Sequence, residues 1–348
     1  MNTPSHSPET AFAALDAWLA GKKRILLLTH ERPDGDAVGS LCGATMILAA
    51  AGFDCTAFLM QPMPRRYQHI PASAPAQLRT GSLAAESGNT QHATRNTKPC
   101  FDGILCLDSA RLDRVDFPPE LPVEEAAGIP LCNADHHADN ERFGGTHVIL
   151  PQMAATAQLI LNYARSRKLA VPPQAATWLL SGLVMDTGAF RFTNTSAEVL
   201  RDAAALVECG AEYSLVMDGL FNHEPLPRRL LASRLLETAE FHFGGALLVS
   251  QMQPGWLEEF GVAGSDTEGL IDALRVIDGV EISAMIQKDG ANARISLRAR
   301  SDRTPVDEIA HALGGGGHKL ASGIKMKDTT MAQAHAALLA EVGKMLGG

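Results

Sequence analysis

The chain has 348 residues, enough for about two domains, with 46% hydrophobic and 20% charged residues, the balance of an ordinary folded protein. Thirty-nine Asp and Glu against 30 Lys and Arg leave a formal charge of -9. That sign argues against a broad surface for long duplex nucleic acid, but not against a small phosphorylated substrate held through metal ions. The longest apolar run, 41–51, is interrupted by Gly43 and Thr45 and falls short of the roughly 18 to 20 residues of a membrane span. Residues 1–10 are polar and lack the basic start and apolar stretch of a signal peptide. The six cysteines contain no C-x-x-C pair and read as buried, reduced thiols of a cytoplasmic protein.

In chain order, the apolar run 24–29 reads as a buried strand, 36–51 as a helix stopped by Gly52, and 53–60 as the next strand. The segments 103–107 and 129–133 read as further strands. Helices are expected over 152–169, 173–185 and 197–209, the last closed by Gly210. Strands alternating with helices imply a parallel sheet covered on both faces. The stretch 72–99, rich in Ala, Ser, Thr, Asn and Gln without apolar period, reads as a long mobile surface loop. Residues 215–240 look helical but broken around Pro225 and Pro227. Beyond them the texture changes. Segments 246–251, 281–287 and 293–300 alternate like strands, Asp289-Gly290 signals a hairpin, and 304–313 and 330–346 read as helices. The expected organisation is a first domain over 1–212, a linker over 213–238 and a smaller mixed α/β domain over 239–348.

Candidate chemistry gathers at element ends. The first strand runs into His30-Glu31-Arg32-Pro33-Asp34-Gly35-Asp36, an imidazole and two aspartates placed where ligands of open α/β sheets sit. Taken alone, this could be a loop with Asp36 capping a helix. Asp108 follows the strand 103–107, Asp135-His136-His137 follows the strand 129–133, and Asp186-Thr187-Gly188 ends the helix 173–185. Each is separately explained as a cap or a solvated charge. Together they repeat one placement of oxygen and imidazole donors without thiolate, a set suited to Mn²⁺ or Mg²⁺. So many neighbouring carboxylates need cations to offset their repulsion.

P-D-G-D-A-x-G-S after a strand, a lone Asp after a second, D-H-H after a third and D-T-G-x-F after a helix together resemble the DHH phosphoesterase family. The run Gly314 to His318 with Ala321-Ser322-Gly323 resembles the DHHA1 domain that follows in many members. The resemblance spans nearly the whole chain, in order, and is strongest to the short two-domain members that act as nanoRNases and pAp phosphatases. It implies an α/β fold: an N-terminal DHH domain with a mainly parallel sheet flanked by helices, then a smaller mixed DHHA1 domain. It also implies two divalent cations, Mn²⁺ with Mg²⁺ as the alternative. His30, Asp34 and Asp108 would hold one. Asp36, Asp108, His136 and Asp186 would hold the other, with Asp108 shared. His137 would face the substrate phosphate, and Asp135 would orient the histidines. Two things depart from the family pattern: the polar strand Leu131-Cys132-Asn133-Ala134, and the long stretch before Phe101.

In the second domain, Gly315, Gly316, Gly317 and His318 are expected to form a loop whose bare N–H groups cradle an anion, with a flexible helix end as the plain alternative. Arg294, Arg298 and Arg300 alternate toward one strand face. The unit Ser296-Leu297-Arg298 resembles the family's phosphate-contacting strand and marks Arg298 as a substrate ligand. The remaining histidines, His242 and His335 among them, carry no motif and are read as structural or surface.

The expected activity is metal-dependent hydrolysis of short RNA oligonucleotides to mononucleotides, with pAp to AMP as a second activity. Short single-stranded RNA or dinucleotides would be the partners, with no membrane and no long duplex, and a homodimer is compatible with the sequence. Cyclic or linear dinucleotide hydrolysis (c-di-AMP, pApA) shares the same metal chemistry. A non-catalytic nucleotide-binding regulator would be expected to have lost a ligand, and every expected ligand is present.

Overall fold

The computed structural model describes residues 7–70, 72–83, 100–267 and 269–347. The chain divides into two compact units, Met1–His223 and Glu224–Gly348. The stretch expected as a linker is helical: α7 (Tyr213–Phe221) belongs to the first unit and α8 (Leu226–Glu237) to the second, the break falling before Pro225.

In the first unit, β1 (Arg24–Leu28), β2 (Asp54–Leu59), β3 (Leu78–Thr80), β4 (Gly103–Leu107), β5 (Leu131–Asp135) and β6 (Thr146–Ile149) form a wholly parallel sheet in the order β3-β2-β1-β4-β5-β6. β1 shows why the sheet is covered on both faces. Ile25 and Leu27 pack into one apolar cluster, and Leu26 and Leu28 into another. The larger cluster takes α1 (Pro8–Leu19), α2 (Gly35–Ala50), α4 (Thr156–Ser166), α5 (Pro173–Asp186), α6 (Ala197–Glu208) and α7. The other is closed by Val115, Leu121 and Ala126 of the β4–β5 connection, which holds the short α3 (Val123–Ala126).

α2 is buried along most of its surface because it lies between the sheet and α5. Two glycines set that approach. A Cβ on Gly39 would stand 2.5 Å from the Trp178 carbonyl, and one on Gly182 2.8 Å from Asp36 Oδ1. The N-terminus of α2 and the C-terminus of α5 are thereby drawn together, and with them Asp36 and Asp186.

The stretch 72–99 corrects the expectation of a loop where it is described. Leu78–Thr80 is an edge strand against β2, Leu83 packs against the second cluster, and Ser82 Oγ and Leu83 N both donate to Glu120. Residues 84–99 of the expected mobile loop lie outside the described residues. The polar start of the chain also conceals a helix. Ser7 caps α1, Pro8 opens it, and Ala11, Phe12, Leu15, Trp18 and Leu19 give its buried stripe.

The second unit has a mixed sheet in the order β11-β12-β10-β9-β8-β7. Its strands are β7 (Glu240–His242), β8 (Leu247–Met252), β9 (Ile282–Asp289), β10 (Asn292–Ala299), β11 (Gly316–His318) and β12 (Ala321–Met326). β8 and β9 run parallel and the other neighbours antiparallel. α8, α9 (Trp256–Phe260) and α10 (Asp272–Arg275) share a core with β8 and β9, and α11 (Val306–Ala312) and α12 (Met331–Leu346) complete the unit. The glycine run corrects its expectation too: Gly316–His318 is strand, not open loop. A Cβ on Gly315 would collide with the Gly323 carbonyl, and Gly317 sits at φ 133° with Ala321 O 2.8 Å from where its Cβ would stand. Close strand packing therefore accounts for these glycines.

Candidate metal centre

The carboxyl ends of β1, β4 and β5 and the ends of α2 and α5 place the eight predicted residues of the first unit together. His30 follows β1 and is buried. Its Nδ1–H donates to the Glu31 carbonyl at 2.8 Å, which leaves Nε2 toward Asp34 Oδ1 (3.9 Å) and Asp108 Oδ2 (3.8 Å). The helix cap falls at Asp34 rather than at Asp36: Asp34 Oδ1 accepts the N–H groups of Asp36 and Ala37 at 3.1 Å each. Asp36 lies in the first turn of α2, fully buried. Its carboxylate accepts the N–H groups of Thr156 (2.5 Å) and Ala157 (2.9 Å) at the start of α4, a placement that a helix N-terminus favours for an anion.

Asp108 ends β4 in the left-handed region, φ 55°, a strained conformation for an aspartate and one held by its N–H bond to Ala134 O. That backbone turns its carboxylate between two groups. Oδ2 faces His30, and Oδ1 lies 3.6 Å from His136 Nε2. His136 Nε2 also meets Asp186 Oδ2 at 3.1 Å and Asp36 Oδ2 at 3.8 Å. Two donor sets result, His30–Asp34–Asp108 and Asp36–His136–Asp186, each with ligand atoms within 4.8 Å of one another.

Asp135 differs from the other aspartates. Its Oδ1 accepts His136 N (2.7 Å), His137 N (3.2 Å) and His137 Nδ1–H (2.7 Å), and its Oδ2 accepts Asn140 Nδ2 (2.6 Å). Its oxygens are occupied in orienting the two histidines. The polar strand residue Asn133, a departure from the family pattern, donates to Asn140 Oδ1 at 3.2 Å and so supports that arrangement from below.

The electrostatics follow from burial. Desolvation, then the charges of Asp36, Asp34, Asp186 and Asp135, push Asp108 well above the carboxylate range. Burial and Asp186 push Asp36 up to about 7. Burial works against a proton on His136, but Asp186, Asp36 and Asp135 outweigh it and hold that imidazole up at about 10. This is a pocket that demands positive charge, and its donors are oxygen and imidazole without thiolate. Such a set fits hard or borderline divalent cations.

Three residues that sequence reasoning missed complete the site. Thr156 Oγ1 donates to Asp108 Oδ1 at 3.0 Å. Asn140 holds Asp135. Gly182 leaves the space that Asp36 fills. Only the Asn140 position, shortly after D-H-H, stood near a motif. The predicted substrate residues of the second unit are placed differently. Arg294 and Arg298 do share a face of β10, but Arg298 Nε donates to Asp272 Oδ1 at 3.3 Å and its Nη1 to Leu297 O. Gly315, Gly316, Gly317 and His318 form or adjoin β11.

The DHH family, N-terminal domain, matches residues 24–183, and the DHHA1 domain matches residues 244–347. The bifunctional oligoribonuclease and PAP phosphatase NrnA of Thermus thermophilus is 33% identical over 326 residues, covering 92% of this chain and 90% of that protein. The protein of the same name from Bacillus subtilis is 25% identical over 86% of this chain and 88% of its own. The cyclic-di-AMP phosphodiesterase PdeA of Listeria monocytogenes is 30% identical over 94% of this chain but only 49% of its own length. In fold, the chain is similar to an exopolyphosphatase-related protein from Bacteroides fragilis, with a TM-score of 0.80, 20% identity and full coverage of both chains. The chain belongs to the DHH family, with a DHHA1 domain after its DHH domain.

Proposed function

We propose that this chain is a phosphoesterase dependent on two divalent cations, Mn²⁺ in preference to Mg²⁺, that hydrolyses short RNA oligonucleotides to mononucleotides and pAp to AMP. The observation that carries the reading is the Asp108 carboxylate, whose two oxygens face two separate donor sets. His30, Asp34 and Asp108 would hold one cation, and Asp36, Asp108, His136 and Asp186 the other. Bound cations at such a centre supply activation of a water and neutralisation of phosphoryl oxygens.

The chain's own residues do the rest. Asp135 fixes His137 by accepting its Nδ1–H, so the opposite ring nitrogen can serve the substrate phosphate. Asp36 is positioned by the two N–H groups at the N-terminus of α4 that its carboxylate accepts. In the second unit, Arg298 and His318, with Gly315 to Gly317, are proposed to bind the remainder of the nucleotide. Arg298 would exchange its Asp272 partner for a phosphate, to which its guanidinium can bind in bidentate fashion. The choice of substrate rests on the end-to-end similarity to proteins named oligoribonuclease and PAP phosphatase. Cyclic-di-AMP phosphodiesterase activity is the second reading, favoured by the similarity to PdeA across nearly all of this chain.

The test is a Mn²⁺-supplemented assay on RNA dimers to long strands, pAp, pApA and c-di-AMP. Turnover highest on oligomers of a few residues, with pAp hydrolysed as well, is the expected result. Preferential hydrolysis of c-di-AMP would give the second reading, and preference for long strands would overturn both.

A further inference from the structure

The second unit carries a cluster that plays no part in the reading above. Glu240 and His242 are two residues apart on β7 and so share a face of that edge strand. His335 lies near the start of α12, and further along that helix Gly343 sits against the Phe243 ring, so α12 runs beside the end of β7. One ligand atom from each of Glu240, His242 and His335 lies within 4.8 Å of the other two. The imidazole rings meet edge to face with centroids 5.3 Å apart, and His242 Nε2 lies 3.7 Å from Glu240 Oε2.

Edge-to-face packing explains the rings but not their nitrogens. The Nε2 atoms of His242 and His335 are both buried and make no hydrogen bond. A buried polar atom without a partner is costly, so two of them in one cluster with a carboxylate call for a ligand. The Gln251 amide lies 3.3 Å from His335 Nδ1. With its oxygen turned to that nitrogen, it would accept Nδ1–H and leave the Nε2 lone pair for a ligand, the usual support of a metal-bound imidazole.

We propose that Glu240, His242 and His335 form a separate site for a transition-metal dication, best matched by Zn²⁺, which fastens α12 to the edge strand β7. Two imidazoles and a single carboxylate suit zinc better than Mg²⁺ or Ca²⁺, which prefer all-oxygen sets. Zinc bonds of about 2.0 to 2.1 Å place tetrahedral ligand atoms about 3.4 Å apart. His242 Nε2 and Glu240 Oε2, 3.7 Å apart, lie close to that spacing, and solvent would complete the fourth position. The site shares no residue with the metal centre of the first unit.

The test uses the full-length protein saturated with Mn²⁺, equilibrated with Zn²⁺ and freed of loose metal by gel filtration. Zinc is counted in wild type, His242→Ala and His335→Ala. Wild type should retain about one zinc more per chain than either variant, as expected for a single site. Zinc should also raise the Tm of wild type but of neither variant, while Mn²⁺-dependent hydrolysis is the same in all three. Equal zinc content and equal thermal response in folded variants would overturn the site and leave the hydrolytic reading untouched. Should His335→Ala not fold, Glu240→Gln and His242→Gln, on an edge strand, carry the same comparison.

Discussion

The hydroxyl of Thr156 donates to Asp108 Oδ1 at 3.0 Å while the Thr156 N–H donates to Asp36 Oδ2 at 2.5 Å, so one residue at the start of α4 grips two carboxylates from different elements. Thr156→Val keeps the shape and the N–H but removes the first contact. Apparent Mn²⁺ affinity and activity should fall about 10- to 100-fold, the usual effect of losing a partner that orients a ligand. Thr156→Ser should stay near wild type. Rate measured against Mn²⁺ concentration checks both.

Asp108→Ala should abolish hydrolysis even at saturating Mn²⁺, because its two carboxylate oxygens face both donor sets. Metal content after dialysis should fall with it. Substantial activity in a folded Asp108→Ala protein would end the two-cation reading.

Asp135→Ala should first show itself in stability. The change strips partners from the buried N–H of His136, from His137 and from Asn140. Each group left unsatisfied costs about 1 to 3 kcal/mol. A clear drop in Tm is expected, together with residual hydrolysis from the remaining ligands. Unchanged Tm would contradict the orienting role.

Gly182→Ala places a methyl 2.8 Å from Asp36 Oδ1 and 2.9 Å from the Ala157 side chain. Overpacking of this kind costs about 1 to 3 kcal/mol, and here it acts directly on a proposed ligand. Mn²⁺ affinity should fall more than thermal stability does. Metal titration and differential scanning calorimetry on the same preparation separate the two.

The cysteines should react unequally. Cys42, Cys55, Cys106 and Cys132 are buried, and burial pushes their thiols up, Cys55 to about 12. Cys100 is exposed beside Arg24. A thiol reagent at neutral pH should label Cys100 first in the native protein and all six only after denaturation. Peptide mapping identifies the order.

The parallel sheet and the helices α2, α5 and α6 were legible because long apolar runs and Gly or Pro punctuation act locally. That the eight residues of the candidate centre lie together was legible as well, since each sits at an element end within a recognisable motif. What escaped depends on partners distant in sequence. β3 is three residues long and exists through β2. Thr156, 48 residues from Asp108, has no local mark of its role. The glycines before His318 announced a loop, yet Gly315 and Gly317 pack closely on the Gly323 and Ala321 carbonyls across a hairpin. His242 and His335 are 93 positions apart by number, so no spacing rule links them. The buried stripe of α1 had a readable period, hidden by the polar residues that precede it.

The pairing of β1 bears on how the protein is made. β1 lies between β2 and β4, so a nascent chain cannot complete that strand's hydrogen bonding until residues as far as Cys106 have emerged from the ribosome. Such distant pairing is slow to form and leaves apolar strand edges unpaired meanwhile. The centre waits longer still. His30 is among the earliest of its residues to be synthesised, and Asp186, at the far end of α5, is the last. Assembly of the full donor set therefore cannot precede translation of α5, and a chain released before that point carries clustered aspartates with no complete cage to hold a cation against them.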